Sequence, residues 1–216
     1  TGRSTSYYNV LIAAKCRSGD FRDARNVLDE MRRSGCEPNM NSYNYLLGSL
    51  FKHKRVVEAC DLMETMEGLG YFPDSLTFEV VAVHACMTNR TDFAKEFLNR
   101  MLSEGIMPRL TMHAAFIKGY FRSGRVDDAY KYVIEMCTRD KGSANMNYCL
   151  LAKLFLASRR VIEAGGILHE MMEKGLKPNF PVYVKVMKDL HKMSRGDLSS
   201  QLKSMFLKFT PSKEAG

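Results

Sequence analysis

Apolar side chains recur along this chain in pairs of helical stripes separated by short polar breaks. Tyr8, Leu11, Ile12 and Cys16 fall at helical spacing, Ser18-Gly19-Asp20 interrupts them, and Phe21, Ala24, Val27, Leu28 and Met31 resume the pattern. The second stripe stops at Ser34-Gly35 with Pro38 just beyond, a normal helix end. No run alternates with a period of two, so the pattern predicts helices and no strands.

The pair of stripes then repeats every 35 residues. Tyr8 is matched by Tyr43, Phe78, His113, Tyr148 and Tyr183. Ala24 is matched by Ala59, Ala94, Ala129 and Ala164, and Met31 by Met66, Met101, Met136 and Met171. Pro38 is matched by Pro73, Pro108 and Pro178. A fixed period of this size marks a solenoid, one supersecondary unit stacked many times. The frame gives repeats 5–39, 40–74, 75–109, 110–144 and 145–179, with a partial copy at 180–209. The predicted organisation is one all-α solenoid domain over 1–209, followed by an aperiodic, disordered tail at 210–216.

Stacking follows from helix length. A helix of about 12 residues is marginal alone, so each apolar stripe needs the next copy as its partner. The small side chain at the Ala59 slot lets helices approach closely, and the Leu46 and Met66 slots fill the space between copies. Repeat four departs from the frame: Asp140 and Ser143 stand at its Gly and Pro slots. A looser or redirected turn is expected there.

Charge and chemistry add less. The formal net charge of +8 favours a polyanionic partner. The six cysteines form no CxxC pair and read as small buried thiols in a reducing compartment. The histidines and cysteines lack zinc-ligand spacing, no phosphate loop follows a strand, and His113 fills an aromatic packing slot. These features predict no enzyme, metal site or cofactor. No apolar run approaches a membrane span, and no small-molecule substrate is indicated. The chain starts close to its first repeat without an initiator Met, as a mature or excerpted form would.

The pattern T/S-x-Y-N-x-L, then Ala, Met, Gly and Pro-Asn/Asp at fixed offsets, is carried most fully by SYYNVLIAAKCRSGDFRDARNVLDEMRRSGCEPN. It closely resembles the pentatricopeptide repeat family, and the resemblance covers nearly the whole chain. It resembles the pure-repeat subclass, with no appended catalytic module visible. The resemblance implies a right-handed superhelix of helix–turn–helix repeats whose first helices line a concave face holding single-stranded RNA, one base per repeat. It also implies a mitochondrial or plastid location, with roles in RNA processing, stability, splicing or translation.

In the family the residue after the aromatic and the last residue of the repeat choose the base. Carried over, repeat one presents Asn9 with Asn39, which resembles a cytosine-favouring pair. Repeat two presents Asn44 with Asp74, which resembles a uracil-favouring pair. Repeat five presents Cys149 with Asn179. Repeat three offers Glu79 with Arg109, residue types that can pair with each other. Repeat four offers Ala114 with Ala144, which have no hydrogen-bonding side chain. A basic stripe in phase with these slots, Arg17, Lys52, Lys118, Arg122, Lys153, Lys188 and Lys192, is placed to track phosphates. The leading expectation is an organellar single-stranded RNA-binding adaptor without chemistry of its own. The alternatives are a structural subunit of a large ribonucleoprotein such as an organellar ribosome, where ribosomal RNA and neighbouring proteins are the partners, and a protein-binding helical scaffold.

Overall fold

The computed structural model describes residues 4–209, so the tail expected at 210–216 lies outside the described residues. These residues form twelve α-helices and no strand. Their packing divides into two compact units, 1–115 and 116–216.

The first unit holds α1 (Thr5–Ser18), α2 (Phe21–Arg33), α3 (Met40–Lys52), α4 (Val56–Gly68), α5 (Ser75–Met87) and α6 (Thr91–Ser103), and the boundary falls within α7 (Leu110–Arg122). In this unit α1 packs on both α2 and α3, α3 on α4 and α5, and α5 on α6. One apolar cluster runs through Ile12, Phe21, Leu28, Tyr43, Leu47 and Met66. The repeating slots are its framework: Tyr43, Phe78, Ala24, Ala59, Ala94, Met31, Met66 and Met101 are all inaccessible to solvent. An alanine at that depth marks helix axes too close for a larger side chain. Ala59→Leu is expected to overpack the contact at a cost of about 1–3 kcal/mol.

The second unit holds α8 (Val126–Arg139), α9 (Lys141–Ala157), α10 (Val161–Glu173), α11 (Phe180–Lys192) and α12 (Gly196–Leu207). Here α9 packs on α8 and α10, and α10 packs on α11 and α12. The same slots are buried at Ala129, Ala164, Met136, Met171 and Tyr148. Gly165 lets α12 come close, since a β-carbon there would fall 2.7 Å from a methyl of Leu198.

The turn inside each repeat needs one left-handed residue. It is Gly19 and Gly124 in two copies, but Lys54, Asn89, Arg159 and Ser194 in the others, at φ of 62°, 63°, 59° and 55°. An arginine follows this residue at Arg55, Arg90, Arg125, Arg160 and Arg195 and starts the second helix. Arg55, Arg125 and Arg160 lie over the rings of Phe21, Tyr120 and Phe155 at 4.7, 5.1 and 4.9 Å. Each also pairs with an acid one turn into its helix, Glu58, Asp128 or Glu163. That recurring arginine clamp closes the turn whether or not glycine is present.

The turn between repeats behaves differently at its one irregular copy. Segments 34–39, 69–74, 104–109 and 174–179 separate the helix pairs, each with a left-handed glycine. At the fourth, where the sequence suggests a looser or redirected turn, the connection is shortened to Asp140, which caps the end of α8 and the start of α9. Its carboxylate accepts the Gly142 N–H at 3.0 Å. With no left-handed glycine to reverse the chain and no proline to stop it, the aspartate starts the next helix at once.

Candidate nucleic-acid interface

Two residues of the expected base slots, Asn39 and Asp74, are held by helix caps. Asn39 precedes α3, and its Oδ1 accepts the Ser42 N–H at 3.1 Å, while the Asn39 N–H donates to Ser42 Oγ at 3.1 Å. This capping box fixes Asn39 in place. Asn9 reaches it from α1: Asn9 Nδ2 donates to Asn39 Oδ1 at 3.2 Å, and Ser42 Oγ donates to Asn9 Oδ1 at 2.6 Å. Residues from two successive repeats thus meet at one point, as the sequence slots require. The Asn39 amide nitrogen remains as an exposed donor group.

Asp74 is held the same way. Its Oδ1 accepts from the N–H and Oγ1 of Thr77 at 2.7 and 2.8 Å, leaving Oδ2 outside the cap. Its slot partner Asn44 is only 6% exposed, and both of its amide atoms are buried without a hydrogen-bond partner among the described residues. A buried primary amide left without partners costs roughly 1–3 kcal/mol.

The remaining slots differ. Glu79 and Arg109 form an ion pair at 3.5 Å, and Thr111 Oγ1 also donates to Glu79. The Glu79 side chain is 15% exposed, so the slot is filled by its own residues. Ala144 is buried inside α9. Cys149 is buried too: its sulfur accepts the Asn179 N–H at 3.3 Å and its thiol donates to the Met171 sulfur at 4.0 Å. Burial pushes the Cys149 thiol up, away from the thiolate. The pair therefore meets through the Asn179 backbone, with the cysteine turned inward, while Asn179 starts α11 with an exposed side chain that makes no cap bond.

The predicted basic residues are all exposed. In the first unit Arg17 and Lys52 line a groove of about 390 Å³ between α1, α3 and α5, and Asn44 and Tyr45 form part of its wall. In the second unit Lys118, Arg122 and Lys153 stand on α7 and α9. Lys188 and Lys192 border a shallow hollow on α11 with Phe180 and Val184. Lys192 also pairs with Asp189 at 3.4 Å. Among the described residues no group of three potential ligands could hold a metal ion, and no helix is long and apolar enough to cross a membrane.

A family model described as PPR repeat family matches residues 3–52, and one described as PPR repeat matches 41–71 and 112–140. The chain belongs to the pentatricopeptide repeat family. A chloroplastic pentatricopeptide repeat-containing protein of Arabidopsis thaliana is 26% identical over 82% of the chain, and another from the same plant is 37% identical over 44%. The chain spans 23% and 19% of the lengths of these relatives. A mitochondrial relative from Arabidopsis is 32% identical over 49% of the chain.

Solved structures give the same fold. Maize PPR10 aligns over 95% of this chain and 30% of its own with a TM-score of 0.62 at 23% identity. PPR10 has also been solved in complex with an 18-nt psaJ RNA element, at 20% identity and the same TM-score. The PPR domain of Arabidopsis protein-only RNase P 1, solved in complex with tRNA, aligns over 83% of this chain and 95% of its own with a TM-score of 0.57 at 19% identity. The chain is an all-α pentatricopeptide repeat solenoid.

Three groove residues of this repeat protein go unremarked in the repeat pattern: Tyr45, His53 and His84. Tyr45 directly follows the expected base slot at Asn44, and His84 lies one residue past position 83, which is 35 residues before Lys118 of the basic stripe. Neighbourhood to the slots was the available signal. Each of the three is a single departure from its slot, which a search for repetition passes over.

Proposed function

We propose that this chain is an organellar single-stranded RNA-binding adaptor, acting in RNA processing, stability or translation without chemistry of its own. The reading rests on what the two helix caps leave over. At Asn39 the cap uses the amide oxygen, so an N–H₂ donor remains. At Asp74 the cap uses one carboxylate oxygen, so an acceptor remains. Cytosine offers an acceptor at N3, whereas uracil offers a donor there. The first slot therefore suits cytosine and the second uracil, in agreement with what the family pattern implies. Arg17 and Lys52 beside the slots supply phosphate neutralisation. Relatives named chloroplastic and mitochondrial support an organellar setting.

The decisive experiment exchanges the leftover group. Asn39→Asp keeps the capping oxygen and replaces the donor with an acceptor. Competition binding on oligoribonucleotides that differ at one pyrimidine should show the preference at that position moving from cytosine to uracil by about tenfold or more. Unchanged preference, or no RNA binding by the wild-type chain, overturns the reading.

A second reading is a structural subunit of a large ribonucleoprotein such as an organellar ribosome. The closed Glu79–Arg109 slot, the buried Ala144 and the inward Cys149 favour it. Such a protein needs shape and charge but few open readers. Co-sedimentation with ribosomal subunits would support it.

A further inference from the structure

We propose that His84 and His53 accept a hydrogen bond from the ribose 2′-hydroxyl, so that the α1–α3–α5 groove selects RNA over DNA. The inference rests on the RNA-binding reading above and adds a specificity that the base slots do not contain.

His84 lies half-buried near the end of α5, and its Nδ1 is 2.8 Å from the Val80 carbonyl oxygen. His53 caps α3, with Nδ1 2.8 Å from the Ser49 carbonyl oxygen and its ring edge-on to Phe21 at 5.1 Å. A carbonyl only accepts, so Nδ1 carries the proton in both rings. A neutral imidazole has one N–H, and Nε2 is then a bare acceptor. Of the groove's other polar groups, Arg17 and Lys52 are donors only, Ser49 Oγ is spent on the Cys16 carbonyl, and Asn44 and Tyr45 can each donate or accept. Those cations suit phosphate, which only accepts. A neutral Nε2 cannot bond phosphate. Its complement on a nucleic-acid backbone is the one donor there, the 2′-hydroxyl, which DNA lacks.

Gly48 keeps the approach open. A β-carbon at Gly48 would stand 3.2 Å from Val80 and 3.6 Å from His84 Cε1. Without it the strip between α3 and α5 stays low enough for a sugar to approach the ring. The titratable and charged neighbours lining the groove are Cys16 and Arg17 from α1 and Tyr45 and Lys52 from α3, with no carboxylate among them.

The test uses a labelled cytosine–uracil oligomer in three forms: RNA, DNA with deoxyuridine, and 2′-O-methyl RNA. The last keeps the oxygen, loses the donor and adds a methyl group, while DNA loses the donor without added bulk. The wild-type chain should bind RNA about fivefold or more tighter than either other form, the worth of a single hydrogen bond. His84→Phe and His53→Phe should each weaken RNA binding by up to about fivefold and leave the other two unchanged. His84→Gln, which retains an acceptor, should recover part of the preference. Equal binding of RNA and 2′-O-methyl RNA by the wild-type chain overturns the inference without any variant. Parallel losses on RNA and DNA in the variants also overturn it, while base selection would still stand. If no form binds, the RNA-binding reading falls and this inference falls with it.

Discussion

The hydroxyl of Ser42 donates to the side-chain oxygen of Asn9 across 2.6 Å, joining a side chain of the first repeat's first helix to the cap of the second repeat's first helix. On the proposed RNA-binding reading, Ser42 is therefore both a structural and a selecting residue. Ser42→Ala should cost about 1 kcal/mol through the lost capping box, seen as a lower melting temperature. It should also release Asn9, so cytosine preference at that position should fall several-fold in competition binding while total RNA affinity changes little.

The exposed cations make a different prediction. Each phosphate contact with a single strand contributes about 0.7 to the slope of log affinity against log salt. Lys118→Gln, Arg122→Gln and Lys188→Gln together should lower that slope by about 2. Base preference should be unchanged, since these side chains lie outside the caps. A titration series in potassium chloride measures both.

The left-handed turn residues allow a test of the arginine clamp. Gly124→Val places a β-branched residue at φ 74° and should cost about 1–2 kcal/mol. Lys54→Gly relieves about 1 kcal/mol of strain but adds about 0.5–1 kcal/mol of unfolded-chain freedom. The two nearly cancel, so chemical denaturation should place Lys54→Gly within about 0.5 kcal/mol of wild type.

Glu170 accepts hydrogen bonds from two phenols in the second unit, Tyr130 at 2.7 Å and Tyr148 at 2.9 Å. The Glu170 bond, with some burial, pushes Tyr130 up to about 12 from an ordinary 10.0. Burial, then the Glu170 bond, raises Tyr148 as well. Both groups keep their proton longer when folded. Their stabilisation is complete below the ordinary phenol range and is lost as pH climbs from about 10 toward the raised values. Urea unfolding at rising pH should show an alkaline decline that is shallower in Glu170→Gln than in wild type.

Much of this architecture could be read from the residues. The helices beginning at Thr5, Met40, Ser75, Leu110 and Phe180 begin where the repeat frame puts them, because apolar periodicity and the residues that start and stop helices agree there. The start of α9 at Lys141 could not be read the same way. Gly142 and Ser143 look like turn residues, yet Asp140 caps a helix that includes them. In the site, residue types alone named Asn39 and Asp74 but could not say which of their atoms the caps would use. They could not show that Asn44 and Cys149, which occupy the same slot, are both buried, the first with its amide unpartnered and the second with its thiol turned inward onto Met171. The groove histidines were hidden for the opposite reason, because each appears once in a chain read for repetition.

The single-residue junction at Asp140 has a consequence for handling the protein. A protease needs a stretch of extended chain to seat in its cleft, and such stretches are exposed loops rather than helix. The segments at 34–39, 69–74, 104–109 and 174–179 offer one, whereas the α8–α9 junction passes from helix to helix through one residue. Brief digestion should therefore cut between repeats at those four segments and leave residues 126–157 as one fragment. Asp140→Gly, which supplies the missing left-handed residue and removes the cap, should open a fifth cut.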